Sequence, residues 1–263
     1  MPRHLMSHAE AKRRKQEKHL AGLRFLSQTI YSTPAILGHV MGLNTSAGWY
    51  TTLRSMERDG LVMPATVDVF GRRVPLWGIT PQGQAVAHHD GAAPLSDRYF
   101  QPSRVPPTFL FHSLGLQQLH LKALAAGWTE WSYRDTESGR YAPDKYRPDV
   151  IARHPGGHRY AIEYERTVKT PGRYPGILRD HFVAITLGLV DRIGWVCDGT
   201  ATLYTVARHI LSVRELQNAE GQRRVIGAKH HARLFFAAIQ DFPVFLASTR
   251  ENFGPAALEE VKA

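Results

Sequence analysis

Long apolar runs, cysteine and acidic residues are what this 263-residue chain has least of. No apolar stretch approaches the roughly 20 residues that a membrane-crossing helix needs, so membrane insertion is not expected. The one cysteine, Cys197, excludes an internal disulfide and fits the reducing cytoplasm. It sits inside an apolar run and reads as core rather than nucleophile. The first residues, MPRHLMSHAEAKRRKQEKHL, carry charge with no apolar core behind them, so no secretory leader is expected. Acids number 23 against 33 Lys and Arg, a net charge of +10. Such a surplus points first to nucleic acid and second to an anionic membrane surface. Its densest patch, Lys12-Arg13-Arg14-Lys15, reads alone equally well as a solvated helix face or a tail. We take residues 1–16 as a basic N-terminal arm. The length accommodates two domains.

What is present in the first half is an ordered alternation over residues 17–89. Leu20, Leu23, Leu26 and Ile30 recur at helical spacing. Thr33-Pro34 opens a second helix, with Thr as cap and Pro at the first helical position. A third begins near Thr45 or Ser46 and stops at Asp59-Gly60. Two strands, 61–70 and 73–79, flank Gly71-Arg72, and Thr80-Pro81 caps a last helix. Three helices and a two-stranded ribbon outline a winged helix-turn-helix. In that outline Trp49, Leu53, Met56 and Leu61 face a small core. Tyr50, Thr51, Arg54 and Arg58 are left on the outer side of the third helix for a major groove, and Arg72 and Arg73 tip the ribbon for phosphates. The competing reading is a domain that mediates protein contacts. Residues 90–107, rich in Pro, Ser and Gly, read as a linker. His88 and His89, being adjacent, point apart on a helix and are no metal pair.

The second domain is expected over 108–245. It has a helix from Phe109 to Ala126, a strand near Trp128, a polar loop Asp135–Lys145, and then RPDVIARHPGGHRYAIEYE (147–165). Here three carboxylates gather in a basic chain. Centring the turn on Gly156 sets Val150 opposite Ile162, Ala152 opposite Tyr160 and Asp149 opposite Glu163. That register gathers Val150, Ala152, Tyr160, Ile162 and Tyr164 on one face and Asp149, Glu163 and Glu165 on the other. Opposed residues have Cβ atoms roughly 4.5–5.5 Å apart, so like charges there repel unless a cation lies between them. Carboxylates are hard oxygen ligands, which suits Mg²⁺ or Mn²⁺.

Pro-Asp, a gap, then Glu-x-Glu resembles the core of the PD-(D/E)xK nuclease fold of restriction endonucleases. Glu165 stands where Lys is usual, a variant that some members of that superfamily share, and Lys169 is placed to supply the positive charge. The order of motifs FHSLGLQQLHLKAL, RPDV, YAIEYERTVKT and Tyr174 over most of residues 20–200 is similar to the plasmid replication-relaxation family and its MobC-type mobilisation relaxases. The fold so implied is α/β, a winged helix ahead of a restriction-endonuclease-like mixed sheet. The resemblance implies a metal-dependent, site- and strand-specific endonuclease. Asp149 and Glu163, with the Tyr164 carbonyl, would be ligands, and Glu165 or Lys169 would orient and deprotonate the attacking group. The implied partners are double-stranded DNA at a site such as an origin of transfer, and a secretion coupling protein.

Several alternatives stay open at this level. Glu163 and Glu165 also fit an amphipathic edge strand, with Arg147 pairing to Glu165 at the surface. Pro143-Asp144 is discarded because no β-run follows it. Relaxases built on two histidines around one apolar residue are excluded, since none of the 14 histidines forms such a triplet. Both hydrolysis by water and attack by a tyrosine remain, with Tyr174, beside Arg173, the candidate nucleophile or phosphate contact. His112 reads alone as a packing residue. Residues 246–263 read as a C-terminal tail. The rival to an enzyme is a DNA-binding replication or transcription regulator with an inactive nuclease-like domain, and a third reading is a scaffold that recruits a separate relaxase.

Overall fold

The computed structural model describes residues 7–89, 98–133, 146–217 and 221–254. The loop Asp135–Lys145, with Pro143-Asp144, lies outside the described residues. The chain divides into two compact units, Met1–Gln118 and Leu119–Ala263. The first is rich in helix and the second is a mixed α/β unit.

The first unit begins with α1 (His8–Thr29), capped by the Ser7 side chain, which accepts the Glu10 N–H. Lys12 to Lys15 therefore belong to a continuous helix rather than to a separate arm. Their segment has the composition of a helix, and Arg13–Glu17 and Arg14–Glu10 pair across one turn at 3.6 Å each. Such exposed pairs contribute about 0.3–0.5 kcal/mol. Farther on, Leu23 and Leu26 are fully buried. β1 (Tyr31–Ser32) leads to α2 (Pro34–Val40), capped by Thr33, and α3 (Ser46–Arg58), capped by Thr45. Gly38 lets these helices meet, because a Cβ there would lie 2.1 Å from the Trp49 indole. The indole in turn donates to the Leu43 carbonyl at 2.8 Å. Gly60 takes the left-handed conformation that ends α3, with φ 70°.

β2 (Val62–Val69) and β3 (Arg72–Ile79) pair antiparallel from Val62–Ile79 to Val69–Arg72. Their connection is Phe70-Gly71, one residue earlier than the spacing predicts. β3 also pairs with β1, giving the order β1-β3-β2. α4 (Pro81–Ala87) follows, capped by Thr80. The expected linker is not one where its residues are described. Phe100 is 2% exposed, its ring lies over Gly78, and its N–H donates to the Ile79 carbonyl at 2.9 Å. Gln84 holds the Arg98 carbonyl at 2.6 Å. The aromatic ring, not the Pro/Ser/Gly composition, decides where this segment goes. α5 (Pro107–Ala125) comes next, and the division between the units falls within it, not before it.

The second unit contains β4 (Thr129–Tyr133), β5 (Val150–Arg153), β6 (Arg159–Glu165), α6 (Tyr174–Thr186), β7 (Arg192–Cys197) and α7 (Thr200–Leu211). β8 (Glu215–Gln217) and β9 (Arg223–Val225) form a small hairpin. Then come α8 (Ala228–His231), β10 (Leu234–Ala238), β11 (Leu246–Ala247) and α9 (Arg250–Phe253). The main sheet runs β11-β10-β7-β6-β5-β4. β10–β7 and β7–β6 are parallel, and the other pairs are antiparallel. Val150 pairs with Ile162 and Ala152 with Tyr160, the register expected from the alternation.

Both faces of this sheet are covered. On one, Trp195 stacks on Phe236 and packs with Leu178 and Leu203. On the other, Phe245 stacks on Tyr160 with ring centroids 5.4 Å apart and fills the space over Gly194. The expected tail is partly structured: β11 joins the sheet, and Phe253 lies 4.9 Å from Phe236. That packing is a long-range aromatic contact no local pattern announces.

Candidate functional site

β6 lies between β5 and β7, so it is an interior strand rather than the amphipathic edge that one alternative required. Successive side chains alternate between faces. Ile151, Ala161, Glu163 and Glu165 therefore share one face, level with Ile193, Trp195 and Cys197 of β7, and Asp149 stands in the bend just before β5. Apolar residues share this face with the acids. Ile151 and Ala161 are buried against Ala184 and Val190, and the acids occupy only its end, where β6 finishes. Interior strands of this kind read as continuous apolar text because both faces are covered.

Each acid has a definite neighbour. The Asp149 carboxylate accepts the Tyr164 N–H at 2.9 Å, tying the start of β5 to β6. Glu163 lies with Oε1 3.2 Å from His181 Nε2. The two are close but not aligned, so this buried ring nitrogen has no hydrogen-bond partner. Glu165 is 3% exposed, and Lys169 Nζ donates to its Oε1, replacing the surface pair with Arg147. Burial pushes the Glu165 carboxyl up. The Lys169 hydrogen bond and charge pull it down, while Glu163 and Asp149 push it up again. The three acids thus share one electrostatic field.

His181 is the residue that sequence reasoning missed. It is 1% exposed, on the buried side of α6 with Leu178 and Ala184. Its ring stands edge-on to Trp195, and its Nδ1 lies 2.9 Å from the Tyr146 hydroxyl. In the tautomer that carries its proton on Nε2, Nδ1 accepts from that hydroxyl. Burial pushes the Tyr146 hydroxyl up, and the charges of Glu163 and Asp180 push the same way. The available signal was a polar residue at a core-facing helix position. On its own that is an ordinary packing histidine.

Tyr174 is brought to this region but not as a free hydroxyl. It is fully buried, packed with Leu178 and Trp195, and accepts the Lys169 N–H at 3.2 Å. Its hydroxyl is pushed up to about 12, burial being the main cause. A nucleophilic role does not fit that placement. Arg173, by contrast, is exposed in the turn before α6. Tyr164 points to the opposite face, as expected, and its hydroxyl donates to Asp198 at 2.7 Å. Cys197 is fully buried and burial pushes its thiol up, which suits core. His112 stands edge-on to Phe109 within α5.

Among the described residues no group of three or more His, Cys, Asp or Glu is placed to hold a metal ion. Asp149 and Glu163 both lie within electrostatic reach of Glu165.

In the first unit, Tyr50, Thr51, Arg54 and Arg58 are all exposed on α3, and Arg72 and Arg73 are exposed on the ribbon. Arg54 is the most constrained. It donates to Glu57 at 2.7 Å and lies over the Trp77 ring at 5.5 Å. Leu53 and Met56 on the same helix are fully buried, which fixes the orientation of the exposed set. Among the described residues no helix is long and apolar enough to cross a membrane. Comparison of the chain with protein-family models, with curated proteins and with solved structures finds no match.

Proposed function

We propose that this protein is a metal-dependent, site- and strand-specific DNA endonuclease, a nicking relaxase for plasmid mobilisation or conjugative transfer. The observation that carries the reading is the gathering of Asp149, Glu163, Glu165 and Lys169 at the end of an interior strand, two of them linked by an ion pair. Carboxylates so placed cost desolvation and gain nothing for packing. The first unit supports the DNA half. We read its order of helix, short strand, two helices and ribbon as a winged helix-turn-helix, with α3 offered to the major groove and the ribbon to phosphates. The second unit is read as a PD-(D/E)xK core.

In this reading Asp149 and Glu163, with the Tyr164 carbonyl, would hold Mg²⁺ or Mn²⁺. A divalent ion there supplies charge neutralisation at the scissile phosphate and acidifies water. The chain's own groups do the rest. The Asp149 carboxylate fixes the β5–β6 register at the site by accepting the Tyr164 N–H. Glu165 is the proton acceptor, and Lys169, which donates to its Oε1 and opposes the upward push of burial, positions it. The His181 ring lies behind the Glu163 carboxylate. The burial of Tyr174 favours hydrolysis over a covalent tyrosine intermediate. A cytoplasmic setting, an origin of transfer as target and a coupling protein as partner follow from the same proposal.

One observation favours a second reading, a non-catalytic DNA-binding regulator. Each acid of the cluster already has a polar neighbour within the protein: Asp149 accepts the Tyr164 N–H, Glu163 lies beside the His181 ring, and Glu165 accepts from Lys169. A cluster supported in this way from within would need no metal. Supercoiled plasmid carrying the protein's native flanking DNA separates the two. With Mg²⁺ or Mn²⁺ but not EDTA, wild type should form open circles, and Asp149→Asn and Glu163→Gln should lose more than about 100-fold in rate while binding normally. Calorimetric titration with Mn²⁺ should show a site in wild type and none in either variant. Tight DNA binding with no metal site and no nicking would give the regulator.

A further inference from the structure

The tip of the β2–β3 ribbon contradicts ordinary turn chemistry. Two-residue connections with both residues at positive φ favour Asn-Gly or Gly-Gly, because a side chain strains the first position. Here that position is Phe70, at φ 52° and followed by Gly71 at φ 80°. The ring is also 81% exposed, the largest exposure among the large apolar side chains described. Neither the fold nor the core gains from it. Asp68 holds the turn by accepting the Gly71 N–H at 3.0 Å, so the ring is presented on a fixed support. Arg72 and Arg73 follow directly, both exposed. β1 pairs only with Trp77 and Gly78 at the base of the ribbon, so the outer end of the ribbon consists of β2 and β3 alone.

We propose that Phe70 is a wedge that enters a base step in the minor groove of bound duplex DNA, while Arg72 and Arg73 contact the flanking phosphates. This rests on the reading of the first unit as a DNA-binding domain. An apolar ring inserted between bases recovers the burial it lacks in the free protein, and it unstacks and bends the duplex. Cations beside it match the phosphates that line the groove. A lipid surface is the weaker fit. Asp68 stands close by, and its carboxylate would be repelled by anionic headgroups.

The test uses the full chain with a panel of 30-base-pair duplexes from the protein's native flanking DNA, carrying 2-aminopurine at successive adenines. Wild type should bind and raise the fluorescence of 2-aminopurine at one step. Phe70→Asn suits the turn and should melt no lower than wild type. It should nevertheless bind roughly 5- to 100-fold more weakly, the range for losing one stacked base contact, with the fluorescence rise gone. Phe70→Leu should keep a fraction of both signals. Arg72→Ala and Arg73→Ala should flatten the salt dependence but leave the fluorescence rise. Phe70→Asn binding as tightly as wild type, with the same fluorescence, would overturn the wedge and leave the DNA reading standing. If wild type binds none of the duplexes, both fall. Binding instead to phosphatidylserine vesicles, lost in Phe70→Asn, would also overturn the wedge and reassign the tip to a membrane.

Discussion

Replacing Lys169 with methionine asks whether the acidic cluster is an electrostatic construction or an accident of the surface. The Glu165 side chain is 4% exposed and that of Lys169 is 24% exposed. Removing one partner of a buried pair costs about 3–5 kcal/mol, because the other charge is left without compensation. The partial exposure of Lys169 places the loss near the lower end, about 3 kcal/mol. For a chain of this size each kcal/mol moves the melting temperature by roughly 2–4 °C, so the unfolding of the second unit should fall by roughly 6–12 °C at pH 8. The pH dependence follows from the sign of the shift. Burial already raises the Glu165 carboxyl above its ordinary range, and Lys169 opposes that rise. Without the lysine it rises further. A carboxyl raised in the folded state binds more protons folded than unfolded across that interval, so stability falls as pH rises through it. The deficit should therefore be small at pH 5 and grow toward pH 8. Thermal melts of wild type, Lys169→Met, Glu165→Gln and the double variant at pH 5 to 8 measure it. Lys169→Met with Glu165→Gln should recover most of the loss, since no buried charge remains. A deficit that is flat with pH, or a double variant no better than Lys169→Met alone, would refute the reasoning.

Two further outcomes check other regions of the structure. Tyr174→Phe removes the acceptor of the Lys169 N–H and should cost about 0.5–1.5 kcal/mol of stability. The nicking rate should stay within about a factor of five, under 1 kcal/mol of barrier. A folded, DNA-binding Tyr174→Phe that never nicks would restore a tyrosine nucleophile. Gly38→Ala places a Cβ 2.1 Å from the Trp49 indole and should cost about 1–3 kcal/mol by overpacking. Because α3 must shift to relieve the clash, affinity for the native flanking duplex should fall with it. A neutral result in calorimetry and in fluorescence anisotropy would contradict the described α2–α3 packing.

The features of this molecule that sequence reasoning reached are those governed by near neighbours. Thr33, Thr45 and Thr80 accept N–H groups three residues on, and Gly60 takes a left-handed turn, so the text beside each one announces its role. The β5–β6 register follows for the same reason, since a short turn and an alternating pattern leave one pairing that keeps the apolar residues together. The path of Phe100 back to Gly78 and that of Phe253 onto Phe236 had no such local cause, and composition alone misread both segments. Ile151 and Ala161 did leave a signal. They are apolar residues on the acid-bearing face, which marks an interior strand and rules out a wholly solvated one. The counter-charges of the acids divide along the same line. Lys169 follows Glu165 by four residues and was legible as its partner once an acid stood where a base was expected. His181 reaches Glu163 only because a helix crosses back over the sheet, and nothing local distinguishes it from a packing histidine. A buried carboxylate demands a partner, so its chemistry can be read before any fold is known. The identity of a partner supplied from another element depends on how that element packs.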